Sequence, residues 1–176
     1  MNRKLKTKEL NRLNVDEFKE AEKFPIVVVL DSIRSLHNVG SIFRTSDALK
    51  IEKVVLCGLT ACPPHKEIHK TALGATETVV WEYFENVIEA VEDLKDLGYT
   101  LISAEQTEET VMLQDLNEKS HSKMAFVFGN EVFGVDQEVI SKSDFVLEIP
   151  QFGTKHSFNV AVSAGLILWE AVRTRI

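Results

Sequence analysis

Six short apolar runs rich in β-branched residues constrain what this chain can fold into. Residues 26–30 (IVVVL), 53–57 (KVVLC), 78–81, 99–103, 124–128 and 145–149 recur along it, separated by polar or glycine-containing segments. Such runs are continuous rather than alternating, the pattern of strands buried on both faces in a parallel sheet. Helical patterns fill the intervals. Over residues 86–97, Val87, Ile88, Val91 and Leu94 share one face, Glu89, Glu92, Asp93 and Lys95 lie opposite, and Gly98 supplies a stop. Strands alternating with helices predict an α/β fold with a mostly parallel sheet.

The last segment, residues 157–173, differs. Val160, Ala161, Val162, Ala164, Leu166, Ile167, Leu168 and Trp169 cover nearly the whole circumference of a helix, and a helix apolar all round is buried. Either the core covers one side and a second copy the other, giving a homodimer, or the helix is wedged between the sheet and another helix. The 176 residues suit one domain, expected over 25–176, with residues 1–24 as a polar arm or peripheral helix. Acidic residues outnumber basic ones, 27 against 20, for a net charge of −7, so any nucleic-acid contact needs a local basic patch. Cys57 and Cys62 are the only cysteines, too few for a disulfide framework, which fits a reducing compartment. The basic residues near the start lead into no apolar signal core, and no apolar run is long enough to span a bilayer. A cytoplasmic location and no membrane partner are expected.

Three polar clusters follow predicted strands, where open α/β sheets place their ligands. In the first, residues 31–48, Asn38 can cap a helix with Gly40 in its early turns and Arg44 nearly two turns in. That helix end and the guanidinium could hold an anion together, or the segment is an ordinary cap with a surface arginine. It has no G-x-G-x-x-G, which argues against a nicotinamide-dependent oxidoreductase. The second, residues 126–135 (FVFGNEVFGV), places Gly129, Asn130, Glu131 and Gly134 at a strand end. A tight turn explains its glycines but not Glu131. In the third, residues 147–170, Pro150 and Gly153 mark a loop, and both Ser157 and Asn159 stand ahead of the apolar helix, although a cap needs only one. Lys155 and His156 add positive charge beside them.

Cys62, His65 and His69 have a ligand-like spacing but no identifiable fourth ligand. His69 reads better with Lys66 and Lys70 as a basic rim, and no metal site is assigned. Ser157, His156 and Glu131 lack the G-x-S-x-G elbow of a hydrolase triad.

In this order and at these separations, the clusters resemble the three motifs of the SpoU, or TrmH, family of RNA 2′-O-ribose methyltransferases in the SPOUT superfamily. Asn38, Gly40, Arg44 and Asp47-Ala48 resemble the first motif. Gly129, Asn130, Glu131 and Gly134 resemble the second, and Ile149-Pro150, Gly153, Ser157, Phe158, Asn159 and Val160 the third. Residues 70–75 (KTALGA) resemble the family's connecting segment; Phe158 stands where the family commonly has leucine.

The resemblance implies a Rossmann-like sheet with a C-terminal deep trefoil knot, a rare exception to the rule that chains do not thread loops. It implies S-adenosylmethionine bound in that knot at a homodimer interface, held by loops around Ala104, Gly129, Ile149 to Gly153, and Ser157, Phe158 and Asn159. It places catalysis on Arg44, Asn38, Glu131, Ser157 and Asn159, with Glu131 pairing with Arg44 or Asn38. Arg34, His37, Lys66, Lys70, Lys155 and His156 would form the RNA-binding surface. A guanidinium is always protonated at neutral pH and is a poor base, so Arg44 is expected to grip an RNA phosphate and stabilise the developing alkoxide. The resemblance implies an RNA substrate, with tRNA slightly favoured over rRNA. The alternative is a non-catalytic RNA-binding or assembly factor on the same fold.

Overall fold

The structure, a computed structural model, describes residues 2–119, 122–173 and 175–176. Seven strands form one sheet: β1 (Phe24–Asp31), β2 (Ile51–Cys57), β3 (Val80–Phe84), β4 (Thr100–Ala104), β5 (Val111–Met112), β6 (Met124–Phe128) and β7 (Phe145–Glu148). Their order is β3-β2-β1-β6-β4-β7-β5, and every pair of neighbours is parallel. The helices are α1 (Val15–Glu20), α2 (Leu36–Ala48), α3 (Lys66–Ala72), α4 (Ala75–Thr78), α5 (Val87–Asp96), α6 (Gln137–Lys142) and α7 (Val160–Arg173), with 3-10 turns at Thr7–Leu10 and Leu113–Lys119.

The continuous apolar runs are explained by cover on both faces. Along β1, Ile26, Val28 and Leu30 face a core completed by Val39, Ile42 and Phe43 of α2, Ile68 of α3 and Ile167 and Leu168 of α7. Val27 and Val29 point the other way, toward Ala90, Val91 and Leu94 of α5 and Val139 of α6. The central pair β1 and β6 is in register, with Val28 opposite Phe126, and burying ten such side chains is what stabilises the middle of the sheet. Pro25 cannot donate a ladder hydrogen bond, and the register with β2 shifts between Phe24 and Val27. Phe18 of α1 reaches the first core and carries the Lys23 ammonium over its ring at 4.5 Å.

One expected strand is displaced and one strand is new. The strand predicted at residues 78–81 runs from Val80 to Phe84. Thr78 instead ends α4, where its hydroxyl donates to the Asp47 carboxylate, and the left-handed Leu73 and Gly74 turn α3 into α4. The two-residue β5 was not predicted at all, being too short to carry a pattern.

Candidate functional site

At the carboxyl ends of β1, β4, β6 and β7 the three polar clusters meet. Glu131, just past β6, reaches the segment ahead of α2: its carboxylate accepts hydrogen bonds from the backbone N–H of Arg34 (3.1 Å) and Ser35 (3.2 Å) and from Nδ2 of Asn38 (3.2 Å). Oδ1 of Asn38 in turn accepts from Nδ2 of Asn159 at 3.1 Å. Asn159 closes the chain by accepting from the N–H groups of Ala161 (3.0 Å) and Val162 (3.4 Å) at the start of α7. Residues 93 and 121 positions apart are thus joined by one run of hydrogen bonds. Burial opposes ionisation of Glu131, but the N–H groups of Arg34, of its own residue and of Ser35, with the Asn38 amide, outweigh it and hold the carboxyl below its usual range.

Beside this chain lies a cleft of about 720 Å³. Ala104, Gly129, Ile149, Ser157, Phe158 and Asn159 line it, as do Glu131, Gln106 and Gln151; Leu147 and Ile167 give it an apolar floor. The volume is of the kind that takes a nucleoside-sized ligand, and the wall is more polar than apolar, with the apolar part at Leu147 and Ile167. A Cβ on Gly129 would stand 2.1 Å from the carbonyl carbon and oxygen of Gly134, so only glycine lets the two limbs of this loop close. Asn130 pins the loop to the residue just past β1 by donating to the Ser32 carbonyl at 2.8 Å.

The structure also revises several sequence readings. Asn38 does not cap α2; Ser35 does, its Oγ accepting from the Asn38 N–H at 3.3 Å. An anion held jointly by that helix end and Arg44 is not supported, because the negative Glu131 carboxylate already sits at the entry to α2, on the Arg34 and Ser35 N–H groups just ahead of the helix. Arg44 stands nine residues past the cap, about 13 Å along the axis. Gly40 serves helix packing, not a ligand: a Cβ there would lie 2.1 Å from Oγ1 of Thr71 and 2.3 Å from the Ile68 carbonyl on α3. Of the two partners foreseen for Glu131, it has Asn38. Arg44 is exposed, lies outside the cleft wall, and has no ion pair among the described residues. Gly153 too lies outside the wall. Asn159 takes the capping role of the third cluster, leaving the exposed Ser157 facing the cleft.

Arg34, His37, Lys66, Lys70, Lys155 and His156 are all exposed. Glu67 sits among them, accepting from Lys70 at 2.7 Å and meeting His37 at 3.2 Å, so the rim is less basic than its cations suggest. His65 caps α3 through Nδ1, and the Cys62 thiol lies near the Thr60 carbonyl. Gln151 falls within the expected loop from Ile149 to Gly153, and Glu105 and Gln106 follow Ala104, but sequence reasoning singled out none of the three side chains, which carry no motif.

An open parallel sheet whose strand ends and following loops wall a nucleoside-sized cleft defines an α/β protein of the Rossmann-like kind. Within that class, the chain belongs to the SpoU rRNA Methylase family, whose profile matches residues 25–169. It is 32% identical over 153 residues to the 23S rRNA (guanosine-2′-O-)-methyltransferase RlmB of Neisseria meningitidis, covering 86% of this chain and 60% of that protein. It thus spans about three fifths of that relative's length. Its fold is similar to that of the A. aeolicus TrmH/SpoU tRNA modifying enzyme, with a TM-score of 0.80 at 26% identity, over 92% of this chain and 80% of that one. An AdoMet-bound rRNA methyltransferase from Sinorhizobium meliloti has the same fold, with a TM-score of 0.81 at 24% identity, over 90% of this chain and 60% of that one.

Proposed function

We propose that this chain transfers a methyl group from S-adenosylmethionine to a ribose 2′-hydroxyl of RNA, with tRNA preferred to rRNA, and that it works as a cytoplasmic homodimer with residues 25–176 as the methyltransferase domain and 1–24 as an arm. The observation that carries the reading is the hydrogen-bond chain from Glu131 through Asn38 to Asn159, which ties all three motif segments together beside one cleft. The tRNA preference is supported by the likeness to the TrmH/SpoU tRNA modifying enzyme, although the Neisseria relative is named for 23S rRNA. The homodimer is supported by α7, whose outer face leaves Val162 49%, Leu166 40% and Trp169 51% exposed on one stripe at i, i+4 and i+7. Threading of the C-terminal segment is supported by β7, which inserts between β4 and β5, two strands consecutive in the chain.

The cleft fits the cofactor. Its apolar floor at Leu147 and Ile167 suits an adenine ring, main-chain groups at Ile149 and Gln151 suit the ring's edge, and Ser157, Asn159 and Glu131 suit the polar end. When bound, S-adenosylmethionine supplies an electrophilic methyl carbon on a sulfonium whose charge is lost on transfer. The protein's part is alignment and partial exclusion of water. Arg44, outside the cleft wall and with no ion pair among the described residues, grips the RNA phosphate next to the target ribose and stabilises negative charge growing on the 2′-oxygen. Its guanidinium stays protonated, so the hydroxyl proton passes to the phosphate or to water. Asn38 and Glu131 hold the α2 entry in place, and Ser157 orients the ribose.

Titration with S-adenosylmethionine and NAD, followed by radiolabelled methyl transfer to tRNA and to rRNA, tests the reading. Binding of S-adenosylmethionine but not NAD, with label at 2′-O positions of tRNA, is expected. Binding without transfer to either RNA would identify a non-catalytic RNA-binding factor instead.

A further inference from the structure

Beyond Ala104 the chain leaves β4 through Glu105 and Gln106, which none of the steps above uses. Glu105 is partly buried and fixed at the carboxyl end of the sheet by its own N–H, which donates to the Leu147 carbonyl at 3.2 Å. Its carboxylate then divides between two limbs of the cleft. Oε1 accepts from the Gln106 N–H at 2.8 Å, and Oε2 accepts from the Val135 N–H at 3.0 Å on the far side of the second-motif loop. Contact there is tight: a Cβ on Gly134, whose φ is +72°, would lie 2.1 Å from that same Oε2. Gln106 reaches the opposite way, donating from Nε2 to the His156 carbonyl at 2.9 Å, in the third-motif loop just ahead of Ser157. Gln151 also donates to that carbonyl, at 3.4 Å.

The geometry points to Glu105 and Gln106 as a paired latch that sets the width of the cleft, Glu105 holding the loop after β6 and Gln106 the loop after β7. Resting on the methyl-donor reading above, this makes them positioning residues for the cofactor: neither is needed to touch the reacting atoms, and across this corner of β4 they add a second tie between loops that the Glu131–Asn38–Asn159 run already joins. The physical reason is preorganisation. Loops joined by hydrogen bonds before the ligand arrives lose less freedom when it binds. A carboxylate that accepts from backbone N–H groups makes a stronger tether than a neutral side chain.

The test is amide hydrogen exchange on the full chain without ligand, then titration with S-adenosylmethionine and steady-state kinetics, for wild type, Glu105→Ala, Glu105→Gln and Gln106→Ala. Glu105→Ala is expected to speed exchange at the Val135 amide by about tenfold or more while the sheet amides stay protected. Gln106→Ala is expected to leave Val135 protected and to loosen peptides spanning residues 152–159. Each alanine variant should weaken cofactor binding by about tenfold and leave kcat at saturating cofactor within about twofold. Glu105→Gln, which keeps one accepting oxygen, should fall between. Unchanged exchange at Val135 in Glu105→Ala overturns the latch, as does unchanged cofactor affinity, or faster exchange spread through the whole sheet. A wild-type chain that binds no S-adenosylmethionine overturns the methyl-donor reading, and the ligand-free exchange still decides whether the latch exists.

Discussion

Glu131 satisfies three donors from another part of the chain with one carboxylate, and its ionisation is therefore coupled to how well the α2 entry is held. A carboxyl whose folded pKa lies below its unfolded value contributes stability above the unfolded value, and the contribution is lost as pH falls through the folded pKa. Glu131→Gln is accordingly expected to lower the urea midpoint at neutral pH, with the gap to wild type closing as pH falls below the ordinary carboxylate range and through the lowered pKa of the folded state. Gly129→Ala is a different kind of lesion, because the added methyl meets the Gly134 backbone and no flexible side chain can move aside. A loss of about 2 kcal/mol in urea unfolding is expected, with loss of cofactor binding. Arg44→Lys keeps the charge but loses the planar fork, so turnover on RNA should fall by about tenfold or more with cofactor affinity unchanged. Wild-type turnover in that variant would rule out the phosphate clamp. Asn38 and Asn159 were legible as candidate site residues from their positions in the motifs. Their mutual hydrogen bond was not, since nothing in a linear pattern says which of several polar groups will meet across 121 positions. Glu105 and Gln106 were invisible for the same reason: their partners are backbone groups, which every residue has.

α7 presents two different faces on one cylinder. Ala164, Ile167, Leu168, Ala171 and Val172 are buried in this chain, while Val162, Leu166 and Trp169 are bared. Replacing Ile167 by alanine should cost about 2–5 kcal/mol, read from chemical denaturation, because the cavity opens within a close-packed core. Trp169→Glu places a charge on the outer stripe instead. It is expected to convert a dimer to a monomer in sedimentation velocity while leaving circular dichroism intact, and an unchanged sedimentation coefficient would remove the stripe from the proposed interface. The all-round apolar pattern signalled burial but could not say by what. α5 was the easiest element to read, since Asn86 caps it, Leu97 ends it and Gly98 follows with φ +81°, each a local signal. The start of α2 was misplaced by three residues because Ser35 and Asn38 are both good caps, and Glu131, supplied from elsewhere in the chain, accompanies the first.

At the scale of the molecule, the parallel sheet was readable because strands covered on both faces must be apolar throughout. Strand order was not, since pairing partners leave no mark on composition. That order has a cost in time. β1 finds one neighbour in β2, twenty-odd residues on, but its other neighbour is β6, 98 positions later by the pairing of Val28 with Phe126. β4 likewise faces β6 rather than anything made before it. On the ribosome, then, the open edge of β1 and the still unpaired β4 emerge well before the strand that joins them, and since β7, the other neighbour of β4, is made later still, they cannot unite until Met124 to Phe128 has left the exit tunnel. A nascent chain stalled short of that point presents hydrogen-bonding edges to whatever is nearby, which makes this stretch of synthesis the natural moment for a chaperone to attend.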